Sequence, residues 1–490
     1  MEHTVIVSHR GVTLHVQDGA NLLEVLRSAD LAPAAPCGGS GKCGKCRVSV
    51  NGREALACRT TVDADLNVSL LRQESAEVLI SGQSVSVAAD PVKPGYLAAF
   101  DIGTTTVVCF LLSPAGEELA AESALNPQFS YGADVISRIQ QAMAGHLEAM
   151  SQLLRQKMNE LIQTCCHRAQ VSAEAVSVVS VVGNPCMQQL FLGISVDNLA
   201  AIPFEPVLKQ AKVCPAAPYL DGCPNAELLI IPDISGYVGA DTLGCILAAR
   251  MYEEEDTVLM VDIGTNGEMV LVHKGRMCAC STAAGPALEG ANIQFGMRGA
   301  KGAIDHVEIR DGQIRCTVIG GGKAAGICGS GLIDAVSVFL EQKLLNKRGR
   351  ILSSQELEGQ RILPLTEDVY LTQDDIRQVQ MAKGAIAAGI HLMCAYLGIT
   401  VSEVDRVILA GAFGSFMDPG SACRIGLLPV ELDGRISAAG NIAGTGAKLL
   451  ALNRGQLVLS QSLLERVEFI ELAEQPAFQK IFARNMSFQE

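Results

Sequence analysis

The 490-residue chain is 49% hydrophobic and 18% charged, which allows several buried cores and predicts two to four domains. Its formal net charge of −14 argues against a nucleic-acid partner, which would need clustered Lys and Arg, and suits a partner carrying a basic docking patch. No basic segment followed by an apolar run opens the sequence, and the most apolar window, residues 385–398, is interrupted by Gly389 and His391. The expectation is a cytoplasmic protein with no membrane partner.

In chain order, residues 3–7 and 12–16 alternate around Arg10-Gly11 and predict a β-hairpin, and Asn21 caps a short helix, LLEVLRSA. Next comes a cysteine loop, Cys37-Gly-Gly-Ser-Gly-Lys-Cys43-Gly-Lys-Cys46, followed by Cys58, with the spacing C-x5-C-x2-C-x11-C. A [2Fe–2S] cluster needs four thiolates on a small rhombus and a loop that wraps it closely. Gly38, Gly39, Gly41 and Gly44 let the backbone take positive φ and turn amide N–H groups toward the sulfurs. The alternative is a structural zinc site, but zinc favours paired C-x2-C units and this loop holds one. A strand over Arg47–Val50, an Asn51-Gly52 turn and a strand near Leu66–Leu70 complete the segment. The other thirteen of the 17 cysteines are scattered among apolar residues; Cys165–Cys166 and Cys278–Cys280 are close enough to ligate something but read as buried thiols.

Residues 73–95 read as a linker stiffened by two prolines. Beyond it lies an internal repeat. Phe100-Asp101-Ile102-Gly103-Thr104-Thr105-Thr106 is matched by Val261-Asp262-Ile263-Gly264-Thr265-Asn266-Gly267-Glu268, each copy sitting between two apolar strands. Such a turn points backbone N–H groups and Thr hydroxyls at a phosphate and places an Asp for Mg²⁺ or its waters. Two facing copies would clamp a triphosphate. No G-x4-G-K-[ST] loop and no strand-linked G-x-G-x-x-G is present. The apolar stretch Arg406-Val-Ile-Leu-Ala-Gly411-Ala-Phe-Gly414 by itself reads as a tight strand-to-helix turn, and in company with the paired Asp turns it fits a strand entering an adenosine pocket. Two small-residue helices, 238–249 and 440–450, suit a hinge between lobes, although packing alone explains them equally well.

In this order the motifs resemble the ASKHA superfamily of acetate kinase, sugar kinases, heat-shock chaperones and actin. The cysteine loop resembles the [2Fe–2S] ferredoxins of the adrenodoxin and plant-type class. Here the segment Leu56-Ala57-Cys58-Arg59-Thr60 stands closer to the first three ligands than in those families, as if a loop had been deleted. Asn184-Pro185-Cys186-Met187, Ile202-Pro-Phe-Glu-Pro206, the segment 281–290, Gly296-Met-Arg-Gly299, the segment 326–334 and Gln380-Met-Ala-Lys383 are similar to one branch, the reductive activators of corrinoid proteins. The likeness runs from Leu97 to about Glu471.

That resemblance implies a β-grasp ferredoxin-like domain (1–72), the linker (73–95) and a duplicated ribonuclease-H-like, actin-like ATPase with lobes at 96–254 and 255–490, an α/β and α+β multidomain fold. It implies ATP-dependent one-electron reduction of Co(II) to Co(I) on a corrinoid protein of a methyltransferase system. The cluster would be held by Cys37, Cys43, Cys46 and Cys58, and recharged by an external low-potential donor. ATP·Mg²⁺ would bind between Asp101, Thr104, Thr105, Thr106 and Asp262, Gly264, Thr265, Asn266, with adenosine near Gly411 and Gly414. Asp101 or Asp262 would orient the attacking water, with Glu268 a weaker candidate. The segments 281–290 and 326–331 would shape either the docking face or the phosphate pocket. A homodimer is expected. Competing readings are an activator of a radical dehydratase, a small-molecule kinase with a regulatory cluster, and a non-enzymatic redox sensor.

Overall fold

The computed structural model describes residues 2–7, 10–29, 31–33, 35, 38–41, 46–70, 87–353, 355–357 and 359–489. Cys37, Cys43, Gly44 and the first part of the expected linker lie outside the described residues.

The N-terminal domain is built on a five-stranded sheet. Its edge hairpin pairs Glu2–Val7 with Val12–Gln17, and the first strand also lies parallel to Leu66–Leu70, which pairs with Arg47–Val50 and through it with Arg53–Leu56. Val5, Val7, Val48 and Val68 are fully buried, one from every second position, against Leu22, Leu23 and Leu26 of the helix Leu22–Ser28. Asn21 starts that helix by accepting from the Leu23 amide at 3.0 Å. A helix laid across a mixed sheet in this way is the expected β-grasp arrangement.

The rest of the chain forms two lobes on one plan. In the first, Glu118–Leu125, Thr106–Leu112 and Tyr96–Ile102 form an antiparallel meander; Val176–Gly183 and Glu227–Ile230 then add parallel to it. In the second, Arg276–Thr282, Gly267–His273 and Val258–Ile263 form the meander; Arg406–Ala410 and Ile436–Ala438 add parallel. Both six-stranded sheets share this five-strand order, a meander followed by two parallel strands, and differ only in the sixth: Lys212–Pro215 lies antiparallel beyond Glu227–Ile230 in the first lobe, and Val467–Phe469 lies parallel beyond Arg276–Thr282 in the second, so the sequence repeat is a structural duplication. The continuous apolar runs VVSVVG and VLMV are central strands buried on both faces, as parallel pairing requires.

The two small-residue helices, Ala240–Ala248 and Ile442–Leu452, begin and end within two residues of their expected bounds and cross between the sheets. They enclose a core that draws on both lobes, with Val182 and Phe110 from one sheet and Met260 and Val270 from the other. Ser180 donates to the Ala447 carbonyl at 2.6 Å across the same layer. Of the expected linker, the part from Asp90 onward is tied down: its amide donates to the Leu452 carbonyl and its own carbonyl accepts from the Arg454 amide.

The apolar window 385–398 lies in the helix Gln373–Leu397, which starts with a Thr372/Asp375 capping box and is mostly buried. No helix among the described residues is long and apolar enough to cross a membrane. Cys165, Cys166, Cys278 and Cys280 are buried core thiols without disulfides, and burial pushes Cys278 up to about 12 and Cys166 up to about 11.

Candidate functional site

A cavity of about 750 Å³ opens between the lobes, and both repeat turns face it. Each turn closes on itself: the Gly103 amide donates to Thr106 O at 2.8 Å, and the Gly264 amide to Asn266 O at 2.9 Å. Asp101 and Asp262 end the strands leading into the turns and line the cavity with Thr104, Thr105, Thr106, Gly264, Thr265 and Asn266. Residues 161 positions apart in sequence, as Asp101 and Asp262 are, thus share one cleft because the duplication sets the two hairpins face to face.

The first turn is held from behind. The Gly103 carbonyl accepts from Asn126 Nδ2 at 2.9 Å, the Thr105 carbonyl from the Asn126 amide at 2.9 Å, and the Thr104 carbonyl from Arg138 Nη2. Asn126 and Arg138 are fully buried, so three successive carbonyls are satisfied away from the cavity. On the cavity side Asn184 Nδ2 reaches Thr104 Oγ1 at 3.1 Å. In the second turn the Thr265 carbonyl accepts from the Gly285 amide at 2.9 Å.

One carboxylate bridges the two turns. Thr105 Oγ1 donates to Glu289 Oε2 at 2.5 Å and Thr265 Oγ1 donates to Oε1 at 2.7 Å. An anion with two oxygens therefore already satisfies the hydroxyls of both turns, the chemistry a phosphate would use.

Behind it lies a group of acids. Burial raises Asp101 to about 7, reinforced by Asp241 and Asp262 and opposed by a hydrogen bond from Asn441. Asp262 is likewise raised to about 7 by burial, Asp241 and Glu289, and Asp241 to about 6 by burial. Glu268 is pushed well above the usual carboxylate range by burial, Asp241 and Asp262. These side chains line one cavity, where burial and mutual repulsion favour their protonated forms and a bound cation would favour the charged ones. Among the described residues no three His, Cys, Asp or Glu side chains are arranged to grip a metal ion directly. Acids that surround a cavity without converging on one point fit Mg²⁺, which keeps several of its own waters.

Gly411 also lines the cavity, with φ near 80°, and a β-carbon there would fall 2.4 Å from Asp262 Oδ1. Gly414 does not line it; it faces Leu409 at the foot of the helix Gly411–Phe416, while Phe413 and Phe416 reach the cavity in its place. Sequence reasoning missed Asp241, Glu289 and Asn441 as individual residues, although it marked the segments that carry them. Asn184 stood within a quoted motif without a role.

The cysteine site is partly on view. Cys46 Sγ and Cys58 Sγ lie 3.2 Å apart, neither in a disulfide, brought together by the Ala57 amide donating to the Cys46 carbonyl at 2.8 Å. Gly38, Gly39 and Gly41 take φ of 64°, 97° and 76°, which side chains would resist. Arg59 Nη2 donates to the Gly41 carbonyl at 2.7 Å and so ties the Cys58 turn to the loop. Two converging thiols beside a loop of left-handed glycines fit two of the four ligands of an iron–sulfur cluster; the other two lie outside the described residues.

Three family models tile the chain: a 2Fe–2S iron–sulfur cluster binding domain over 5–66, the RACo middle region over 96–254, and the C-terminal ASKHA domain of RACo over 256–490. The corrinoid activation enzyme RamQ of Eubacterium limosum is 34% identical over 443 residues, covering 85% of this chain and 74% of that protein. The chain belongs to the RACo family. The [Co(II) methylated amine-specific corrinoid protein] reductase of Methanosarcina barkeri is 29% identical over 339 residues, 62% of this chain and 59% of its own. The solved structure of a reductive activator for a corrinoid, iron–sulfur protein superposes with a TM-score of 0.73 at 25% identity, covering 99% of this chain and 98% of that one. The RACo architecture of a ferredoxin domain before a two-lobed ASKHA body is thus the fold of this chain.

Proposed function

We propose that this protein is an ATP-dependent reductive activator, a cytoplasmic enzyme that returns the Co(II) corrinoid of a partner protein in a methyltransferase system to Co(I). The observation that carries the proposal is the pair of repeat turns meeting at one cavity, joined through Glu289, in a chain that also carries converging cluster thiols. Relatives described as a corrinoid activation enzyme and a corrinoid protein reductase support the same reading.

A [2Fe–2S] cluster on Cys37, Cys43, Cys46 and Cys58, recharged by an external low-potential donor, would supply the single electron that Co(II) takes up. Each ~59 mV by which that transfer runs uphill costs about 1.4 kcal/mol, which explains why an electron carrier and a nucleotide cleft share one polypeptide. Thr104, Thr105, Thr106, Gly264, Thr265 and Asn266 hold the phosphates. Asp101 and Asp262 would hold a Mg²⁺ ion, which would neutralise phosphate charge, and would orient the attacking water, with Asp241 and Glu268 adding negative charge behind them. Gly411, with Phe413 and Phe416, forms the adenosine side of the cavity.

The test is ATP turnover by the cluster-loaded protein in the presence of candidate ligands. Stimulation by a Co(II) corrinoid protein, and none by sugars or small carboxylates, is expected. Stimulation by a sugar or carboxylate with net phosphoryl transfer would make the protein a kinase instead.

A further inference from the structure

The contacts between the ferredoxin domain and the first lobe centre on Ser130 and Tyr131 of one short turn, residues 126–132, with Gln141 and His146 beside it. From the ferredoxin side, Arg27 donates through Nε and Nη2 to the Ser130 carbonyl at 3.1 and 2.6 Å, and its guanidinium lies 4.7 Å from the centre of the Tyr131 ring. Arg27 is 5% exposed, so this is a seated side chain rather than a surface ion pair. Beside it, Gln141 Nε2 donates to the Gly38 carbonyl at 3.1 Å, one residue from the first cysteine of the cluster loop.

The far side of the same turn is fastened to the nucleotide cleft. Asn126 carries the Gly103 and Thr105 carbonyls, and Arg138 ties the Gly132 carbonyl, at 3.0 Å, to that of Thr104. The second lobe reaches it as well: the Arg298 guanidinium lies 4.5 Å from the Phe129 ring centre, and Arg298 lines the cavity. Seven consecutive residues therefore touch the phosphate turn, the opposite lobe and the ferredoxin domain.

The docking leaves space beside Arg27. It is polar, it encloses a cavity of about 320 Å³ lined by Glu24, Arg27, Tyr131 and His146, and small polar contacts between domains leave relative motion open. His146 is presented at the end of a wide helical turn, 142–146, broken by Gly145 at φ near 100°.

We propose that residues 126–132 transmit nucleotide occupancy to the ferredoxin domain, with Arg138 and Arg27 as the positioning residues on either side, so that filling the cleft changes how firmly that domain is docked. A nucleotide phosphate shifts the Thr104–Thr105 backbone, Arg138 and Asn126 carry the shift to the turn, and the Ser130 carbonyl moves relative to Arg27. Linkage makes the coupling reciprocal: loss of docking alters nucleotide affinity by the same factor.

This rests on the nucleotide reading of the cleft, and the experiment separates the two. Cluster-loaded full-length wild type, Arg27→Ala and Arg27→Lys would be titrated with AMP-PNP and Mg²⁺ by calorimetry. Amide hydrogen exchange would then be followed in peptides covering 22–28 and 127–141, with and without the analogue. The expected result is a nucleotide-dependent exchange change on the order of tenfold in the 22–28 peptide of the wild type. Both variants should lose that change and shift analogue affinity by a matching factor. Should Arg27→Ala lose its cluster, Arg27→Lys and Gln141→Ala decide the matter. If AMP-PNP binds the wild type but leaves the 22–28 peptide unchanged, or the variants keep the response, the transmission is overturned. If AMP-PNP does not bind at all, the nucleotide reading falls first.

Discussion

Gly446 meets Gly244 backbone to backbone: a β-carbon on Gly446 would fall 2.2 Å from the Gly244 carbonyl oxygen. This contact is where the helix Ile442–Leu452 of one lobe crosses the helix Ala240–Ala248 of the other, and Asp241 and Asn441 enter the cavity from the N-terminal ends of the same two helices. Gly446→Ala must push the helices apart at a backbone atom that cannot rotate away. A loss of about 1–3 kcal/mol of stability is expected, as for other overpacked sites, together with weaker AMP-PNP binding. Thermal unfolding and calorimetry check both. A variant that melts and binds as wild type would mean the crossing does not set the cleft.

Glu289 accepts from Thr105 and Thr265 where phosphate oxygens would otherwise bind. Its negative charge competes with the ligand that these hydroxyls are placed to hold. Glu289→Gln keeps the shape and removes the charge, so AMP-PNP binding should tighten by about tenfold, or ~1.4 kcal/mol. Weaker binding in this variant would show that the carboxylate assembles the site instead of guarding it.

Asp101 and Asp262, raised from 3.8 to about 7, hold protons in the folded protein where the unfolded chain has already released them. Between about pH 4 and pH 7 the folded state binds more protons, so ligand-free stability falls as pH rises through that window and levels off above it. Asp101→Asn or Asp262→Asn relieves the buried charge. Each variant should melt above wild type at pH 8, by at most the ~4 kcal/mol that a three-unit shift represents at about 1.4 kcal/mol per unit. The difference should shrink toward pH 5, and binding of Mg²⁺ with nucleotide should be lost. Equal melting at pH 8 would mean that the acids are charged and compensated in the ligand-free cleft.

Arg59 anchors the cluster loop through the Gly41 carbonyl, and a β-carbon at Gly41 would collide with the Arg59 side chain at 2.7 Å. Arg59→Met should leave the four cysteines in place but shorten the lifetime of the visible cluster absorbance in the presence of a chelator by several-fold. An unchanged bleaching rate would assign Arg59 no part in holding the loop.

The repeat turns and the cysteine loop were legible in the sequence because their chemistry is local. A glycine after an Asp-bearing apolar strand, followed by Thr or Asn, marks a tight strand-turn-strand from a handful of residues, and two copies announce a duplication. Asp241 was hidden because it sits among Gly and Ala in VGADTLGCILAA, where helix packing explains the composition equally well. Glu289 lies 184 residues from Thr105, and only the lobe arrangement brings them together. Arg138, in VISRIQQ, has the sequence appearance of a solvated position on an amphipathic helix, yet it is fully buried because four neighbours, Thr104, Gln128, Gly132 and Met187, accept its donors. Of the two glycines, Gly411 lines the cavity, while the helix that starts there turns Gly414 toward Leu409.

The most direct measurement mixes anaerobically reduced, cluster-loaded protein with a Co(II) corrinoid protein and follows the visible spectrum before and after ATP and Mg²⁺ are added. The account predicts a Co(I) spectrum that grows only once ATP is present, and no such growth with Cys58→Ser. Co(I) formed equally well without nucleotide, or by the Cys58→Ser protein, would contradict it.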